Sequence, residues 1–438
     1  MNKLPLDIWK IIFDLLDFKS KINLISTCKY FRQNLYIVDL YDIEAKYLDK
    51  LTTKILEYTI FKNVLSLDAT FNNNIYDISF MNNLKKLNMS GNYRIDEKNI
   101  SKLDLFELIL KHNNTIKDVS FMKNLKVLDT YYCELVQDGI KGLDLIELNI
   151  GVINNKIKNI SFMKNLKKLS ASYNCGICQN DIEGLNLIEL NVSHNNNIKD
   201  ISFMTNLKKL NASGNCGIDQ NGIRGLNLIE LNVCNNEKII NISFMKNLKI
   251  LHAQGNCGID QNGIEELDLI ELDVSFNKKI KNVSFMKNLK KLIAQGNCGV
   301  DQDGIKELNL VEFDVEYNNK IKDVSFMNKL KILNASKYNC GIDQNGIKGL
   351  DLIKFNANDN NKINNVSFMK KLKILYADDT CNIDQNGIKG LDLIELHINN
   401  NNKIKDISFM KNLKKIDAYG HCHADIHNQF RNINNIND

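Results

Sequence analysis

The chain has 438 residues, 44% of them hydrophobic, with one proline and eleven cysteines. Its 57 basic and 52 acidic residues leave a net charge of only +5, too small and too mixed to argue for a nucleic acid or an anionic membrane as partner. The apolar opening MNKLPLDIWKIIFDLL contains Asp7, Lys10 and Asp14, which argues against a signal peptide and a membrane span, so a cytoplasmic setting with reduced thiols is expected, the nucleus not excluded.

Residues 1–36 contain Leu4, Pro5, Ile8, Ile12, Leu16, Ile22, Leu24, Cys28 and Phe31 at spacings of three and four, a pattern for short packed helices. So short a segment cannot enclose a large core, which leaves an apolar face for a partner. The segment resembles an F-box, which opens with Leu-Pro and ends with a cysteine, a basic residue and an aromatic. Here those places hold Leu4 with Pro5, then Cys28, Lys29 and Phe31. Phe18, Lys21 and Thr27 depart from the pattern, standing where proline, leucine and valine are usual. The resemblance implies docking to a Skp-type adaptor, with Leu4, Pro5, Ile8, Ile12 and Leu16 as the contact. Residues 37–63 read as one or two amphipathic helical segments that cap the first turn of a repeat array.

From residue 64 to 423 one unit recurs. SFMKNLKKL and its variants place a phenylalanine at Phe80, Phe121, Phe162, Phe203, Phe244, Phe285, Phe326, Phe368 and Phe409, seven times at an interval of 41 residues and once of 42. Each unit has two halves in the frame LxxLxLxxN, as at Leu207, Leu210, Ala212, Asn215 and again at Leu228, Leu231, Val233, Asn236. This is the leucine-rich-repeat frame, and about eighteen turns can be counted. The expected fold is an α/β solenoid with a parallel sheet on its concave face, short helices and turns on its convex face, and an all-helical N-terminal module. Within the frame the fourth and sixth residues point inward and the third and fifth outward, and the ninth-position Asn turns inward to pair backbone groups.

Closure of the turns is expected to differ between halves. In CGIDQNGIKGL an aspartate such as Asp219, Asp260, Asp343 or Asp384 caps a short helix. In IKDISFMKN the Ile and Phe are inward plugs, and a single three-ten turn is the most helix expected there. Seven cysteines form a ladder, Cys175, Cys216, Cys257, Cys298, Cys340, Cys381 and Cys422. Its rungs are two turns apart, roughly 10 Å, beyond the roughly 7 Å reach of a disulfide. Two further irregularities are Cys133, in the place of a ladder Asn, and an extra residue near Asn154. Residues 424–438 read as a polar, frayed tail.

Sites for chemistry are sparse. DQNG at Asp219–Gly222 and its copies lacks the remaining ligands of a calcium loop, and Cys175 with Cys178 supplies two of the four ligands of a structural zinc. His421, Cys422, His423 and His427 cluster near the end, but two of them occupy ladder positions, so no metal and no cofactor is assigned. Outward third positions alternate in sign through Lys168, Glu189, Lys209, Glu230, Ile250, Glu271, Lys291 and Glu312, whereas a nucleic-acid groove would collect one sign. Aromatic and histidine residues interrupt the face, and Tyr173, His194, His252, Phe276 and Tyr317 are the expected anchors for a target protein.

The pairing of modules resembles the F-box/leucine-rich-repeat proteins. It implies a non-catalytic substrate receptor of a cullin-RING (SCF-type) ubiquitin ligase, with adaptor and cullin reached through the F-box and the target held by the repeats. The bias toward Asn, Lys and Ile resembles that of large DNA viruses, whose F-box proteins would act on a host ligase. Two other readings stay open: a regulator or scaffold that binds an enzyme such as a phosphatase, and an adhesion protein of the internalin kind.

Overall fold

The N-terminal apolar pattern folds as three helices, α1 (Leu6–Leu15), α2 (Phe18–Thr27) and α3 (Lys29–Asn34). The computed structural model describes residues 4–41, 43–152, 155–173, 175–420 and 424–435. Pro5 precedes α1 with φ −56°, and its carbonyl accepts from the amides of Ile8 and Trp9, so the chain's one proline starts the helix where its missing N–H costs nothing. Asp17 caps α2 by accepting from the Ser20 amide at 2.8 Å, which holds its carboxyl below the usual range. Phe13, Ile25 and Leu35 are buried between the helices, and Trp9 meets Phe31 edge-on at 4.8 Å.

The departures at Phe18 and Lys21 have local causes. Phe18 packs on Tyr47 at 5.2 Å between ring centroids, tying α2 to the helical turn Ala45–Leu48. The Lys21 ammonium lies 5.7 Å from the Phe13 ring, a cation–π contact.

Residues 37–63 are helical only in part. The turns Ala45–Leu48, Thr53–Leu56 and Thr59–Phe61 are present, but the segment opens with a strand, Asp39–Leu40, that pairs in parallel with Ser66 and Leu67. The expectation of helix alone is corrected because Leu35, Ile37 and Leu40 are buried at alternate or near-alternate positions. The cap covers the open strand edge by imitating a repeat, which satisfies both apolar surface and ladder bonds.

The chain divides into two compact units, one that includes the N-terminal helices and runs to Leu207 with Asn215–Ile218, the other formed by Lys208–Gly214 and Asp219 onward. In each, every counted turn carries a three-residue strand, from Ser66–Asp68 to Glu189–Asn191 in the first and from Lys209–Asn211 to Lys415–Asp417 in the second. Pairing is parallel and in register, Leu onto Leu, as in Leu210, Leu231 and Leu251. Fourth- and sixth-position residues such as Leu231, Ala212, Val233 and Ala253 are fully buried. This is the leucine-rich-repeat fold.

Strands stop after three residues for a reason repeated along the sheet. The fifth-position Asn or Asp accepts from the amide two residues on, as Asn88 does from Ser90, Asn211 from Ser213 and Asp273 from Ser275, at 3.0–3.1 Å. Three residues after it comes a left-handed residue, glycine in some turns and Tyr173, His194, Phe276 or Tyr317 in others.

Beyond that point the halves diverge, and three expectations are corrected. In second halves the ninth-position Asn is buried as expected: Asn277 donates to the carbonyls of Ala253 and Ile259, and its Oδ1 accepts from the amides of Lys279 and Ile280. In the first halves that start at Leu207, Leu248 and Leu289 the turn is one residue longer, so Asn215, Asn256 and Asn297 are exposed and the following cysteine is the inward residue, whereas the one that starts at Leu84 keeps Asn92 buried. Cys257 and Cys298 donate their thiols to Ala253 and Ala294 carbonyls at 3.3 Å, and accept from Asn277 and Asn318. The described ladder cysteines are free thiols; Cys422 and Asn154 lie outside the described residues.

The second correction concerns SFMKN. Its backbone closes through i to i+3 bonds, Met204 to Ile201 and Leu207 to Met204, both 2.9 Å. A three-residue period puts Ile201, Met204 and Leu207 on the inner side, and methionine is the plug while Phe203 is 40% exposed. No helix forms there among the described residues; the helical turns, such as Asn221–Ile223, belong to the first halves. Third, residues 424–435 are helical, not frayed: Ala424–Asn435 forms a helix that buries Ile426 and Ile433.

DQNG explains itself structurally. Asp219 accepts from the amides of Asn221 and Gly222, and Gln261 accepts from Lys281 and Asn282 while donating to the Asn282 carbonyl. A methyl group on Gly263 would collide with the Ile240 carbonyl, so only glycine fits. Gln429 repeats the glutamine bridge from the C-terminal helix, accepting from Ile407 at 2.7 Å and donating to Lys405. The helix thus closes the array with the bond its repeats use.

Candidate protein-binding surfaces

The first surface follows from the helical period of α1. Leu4, Ile8, Ile11 and Leu15 fall on one side at spacings of four, three and four, and are 43%, 41%, 59% and 83% exposed. Ile12 and Leu16, expected on this face, are half-buried on the flank that leads to Phe13. Pro5 is exposed beside Leu4. Leu4, Pro5 and Ile8 of the expected contact are therefore brought together, and the apolar row continues through Ile11 and Leu15. The signal for those two was in the sequence, since 4, 8, 11, 15 is as good a helical series as 4, 8, 12, 16.

Outward faces of the two strand arrays form the second kind of surface. Third-position side chains pair across neighbouring strands: Lys86 with Glu107 at 3.0 Å, Lys209 with Glu230 at 3.1 Å, Lys291 with Glu271 at 3.1 Å and Lys415 with Glu395 at 2.6 Å. These are surface pairs, each worth up to about 1 kcal/mol, and they serve register. Hydrogen bonding by Lys415 first, then by His397, holds the Glu395 carboxyl below its usual range.

Four of the five expected anchors do not lie on the strand row. Tyr173, His194, Phe276 and Tyr317 are the left-handed residues just past the strands, with φ of 57° to 60°; only His252 is on a strand, at Ile250–His252. The left-handed kink turns their rings along the strand ends. In the first unit Tyr173 stacks on His194 at 4.9 Å, and His112 stacks on Tyr132 at 4.9 Å with Tyr131 edge-on to Tyr132 at 4.7 Å. In the second, Phe276 covers Gly296, where any side chain would strike the ring, and Tyr317 meets Tyr338 edge-on at 6.0 Å. On the strands themselves Tyr376 stacks on His397 at 4.2 Å, a pair that lies outside the expected central group.

Little in these surfaces is suited to chemistry. Burial pushes the thiols of Cys257, Cys298, Cys340 and Cys381 up to about 11, which keeps them protonated and weakly nucleophilic. Cys178 precedes the helical turn Gln179–Ile182 and pairs with Asp181, whose carboxylate accepts from the Cys178 amide at 2.8 Å and thiol at 3.0 Å, so the second cysteine of the CxxC at Cys175 is explained by the helix start. Among the described residues no group of three or more His, Cys, Asp or Glu is placed to hold a metal ion; His421, Cys422 and His423 lie outside them, and His427 is exposed. No helix among the described residues is long and apolar enough to cross a membrane.

Residues 1–41 match the F-box domain. No curated protein sequence matches the chain. Similar solved structures include an internalin from Listeria monocytogenes, at 15% identity and a TM-score of 0.36 over 76% of this chain and 94% of that one. The mouse RP105/MD-1 complex is similar at 14% identity and a TM-score of 0.48, over 90% and 77%. A leucine-rich-repeat protein from Leptospira interrogans is similar at 17% identity and a TM-score of 0.34, over 91% and 98%.

Proposed function

We propose that the chain is the substrate-recognition subunit of an SCF-type ubiquitin ligase, non-catalytic itself, with residues 1–36 as the F-box, 37–63 as linker and cap, and the repeats as the target-binding part. The observation that carries this reading is the solvent-facing apolar row of Leu4, just before α1, and Ile8, Ile11 and Leu15 on it, inside the segment that matches the F-box domain. Four large apolar side chains in one row on a short module are each at least 41% exposed, and such a row favours a docking surface. A Skp-type adaptor, and through it a cullin, is the partner implied by an F-box. The strand faces of the repeats, polar with aromatic rings along the strand ends, would hold the target protein.

Co-purification tests the reading. Tagged chain mixed with a purified Skp-type adaptor and cullin should retain both on the resin, and an Ile8→Asp, Leu15→Asp variant with an unchanged circular dichroism spectrum should retain neither. Equal retention by both proteins, or none by the wild type, removes the ligase assignment.

A further inference from the structure

Charge is not spread evenly over the molecule. In the second unit, the third, fifth and seventh positions from Lys209 to Tyr419 carry nine carboxylates against four lysines, on a chain whose total is +5. The outward sheet face of this unit is therefore acidic on a protein that is basic elsewhere. Lysines nearest the strand ends are already committed: Lys279 and Lys320 donate to the Cys257 and Cys298 carbonyls, and Lys337 pairs with Asp359 at 3.2 Å.

The imbalance is concentrated on three neighbouring strands, Glu271–Asp273, Lys291–Ile293 and Glu312–Asp314, and just beyond them. Here Lys291 sits between Glu271 and Glu312, at 3.1 and 3.8 Å, and neutralises one of the two. Asp273 and Asp314 are held by amides: Ser275 and Gln254 bond the first, and Glu316, Gln295 and Asn334 bond the second. Glu316 is half-buried at the strand end, beside Tyr317. Among the described residues no lysine or arginine comes within ion-pair distance of Asp273, Asp314 or Glu316; Lys291, held by Glu271, and Lys337, held by Asp359, are the cations that lie near Asp273 and Glu316. Along the same edge Phe276, Tyr317 and Tyr338 are 55%, 38% and 62% exposed.

We infer that this face binds a basic, arginine-bearing segment of the target protein, which rests on the receptor reading and deepens it by naming the ligand class. Strands two apart are about 10 Å apart, so Asp273 and Asp314 sum their fields over one long cationic side chain between them. An arginine reaching Glu316 finds a carboxylate for its guanidinium and aromatic faces to lie against, which an acidic or apolar segment does not. Asp273, being buried, contributes field; Glu312 and Glu316 are the groups within reach.

The test uses the full chain and a fluorescein-labelled peptide of alternating arginine and serine, with its glutamate counterpart as control, read by anisotropy at two salt concentrations. Arginine peptide should bind and the glutamate peptide should not, with weaker binding in the higher salt. Glu316→Lys should weaken binding about tenfold, since it replaces an attraction by a repulsion, and Tyr317→Ser by about fivefold. Glu265→Lys makes the same charge change at an exposed site next to the three-ten turn Asn262–Ile264, and should leave affinity unchanged. Equal losses from Glu265→Lys and Glu316→Lys, full binding by Glu316→Lys, or equal binding of the glutamate peptide overturns the inference. Adaptor capture measured on the same variants keeps the outcomes apart. Its loss in the wild type removes the ligase reading, whereas peptide results bear only on this face.

Discussion

Replacing Asn277 by alanine removes five hydrogen bonds from a fully buried side chain. Its Nδ2 serves the carbonyls of Ala253 at 2.9 Å and Ile259 at 3.3 Å and the sulfur of Cys257 at 3.2 Å, while Oδ1 serves the amides of Lys279 at 2.8 Å and Ile280 at 3.3 Å. The 2.8 and 2.9 Å bonds are the strongest, and each leaves a backbone group unpaired at a cost of about 1–3 kcal/mol. The longer three bonds contribute less, so a total loss of about 3–5 kcal/mol is expected. Asn256, in the corresponding ninth place of a first-half turn, is exposed and its alanine variant should cost under about 0.5 kcal/mol. Urea titration followed by circular dichroism compares the two, and amide hydrogen exchange at Lys279 and Ile280 localises the effect. Equal midpoints for the two variants, or protection at Lys279 unchanged in Asn277→Ala, would refute the assignment of inward and outward asparagines.

On α1, Ile11→Asp with Leu15→Asp should abolish adaptor capture, while Ile12→Ala with Leu16→Ala should reduce it less and lower the melting temperature of the module. The reverse ranking would turn the binding face to the flank of Phe13. Leu231→Ala, at a position with no exposure, should cost about 2–5 kcal/mol. Lys209→Ala, which ends one exposed pair at 3.1 Å, should cost under about 1 kcal/mol, both read from urea midpoints. Buried thiols give a pH dependence: Cys257, Cys298, Cys340 and Cys381 shift from 9.0 to about 11 in the fold. Folding favours the neutral form, so stability is full below about 9 and falls as pH rises toward about 11. The urea midpoint should drop over that window, and these four thiols should resist iodoacetamide at pH 8 in the native protein; rapid native alkylation of all four would contradict their burial.

The strand array was legible because two signals agree. A large apolar residue, nearly always leucine, at each first and fourth position fixes which side faces inward, and the 41-residue interval fixes where each turn starts. What sequence alone misplaced were residues whose direction depends on turn geometry rather than on strand alternation. Phe203 is larger and more apolar than Met204, so hydropathy favours it as the plug; the i to i+3 closure at Ile201 decides for methionine. Asn215 and Asn236 occupy the same numbered place, yet one extra residue in the first-half turn sends Asn215 out and brings Cys216 in. The C-terminal helix looked like a polar tail because, among its described side chains, Ile426 and Ile433 are the buried ones in a segment otherwise rich in Asn.

The candidate surfaces were legible in kind and displaced in detail, for the same reason. Strand alternation predicts an outward row, but the rings at Tyr173, His194, Phe276 and Tyr317 sit where the chain leaves the strand in a left-handed conformation. That conformation is costly for residues other than glycine, by about 1–3 kcal/mol each. Neighbouring turns place glycine at the equivalent site, at Gly214, Gly255 and Gly296, with φ of 63° to 65°. A ring on one turn and a glycine on the next are complementary: Phe276 occupies the space that Gly296 leaves, so part of the strain is offset by packing. Packing on glycine still leaves Phe276 55% exposed. A ring held at one face by its neighbour and open at the other loses little further freedom on binding, which is the property that lets a few aromatic side chains dominate an interface.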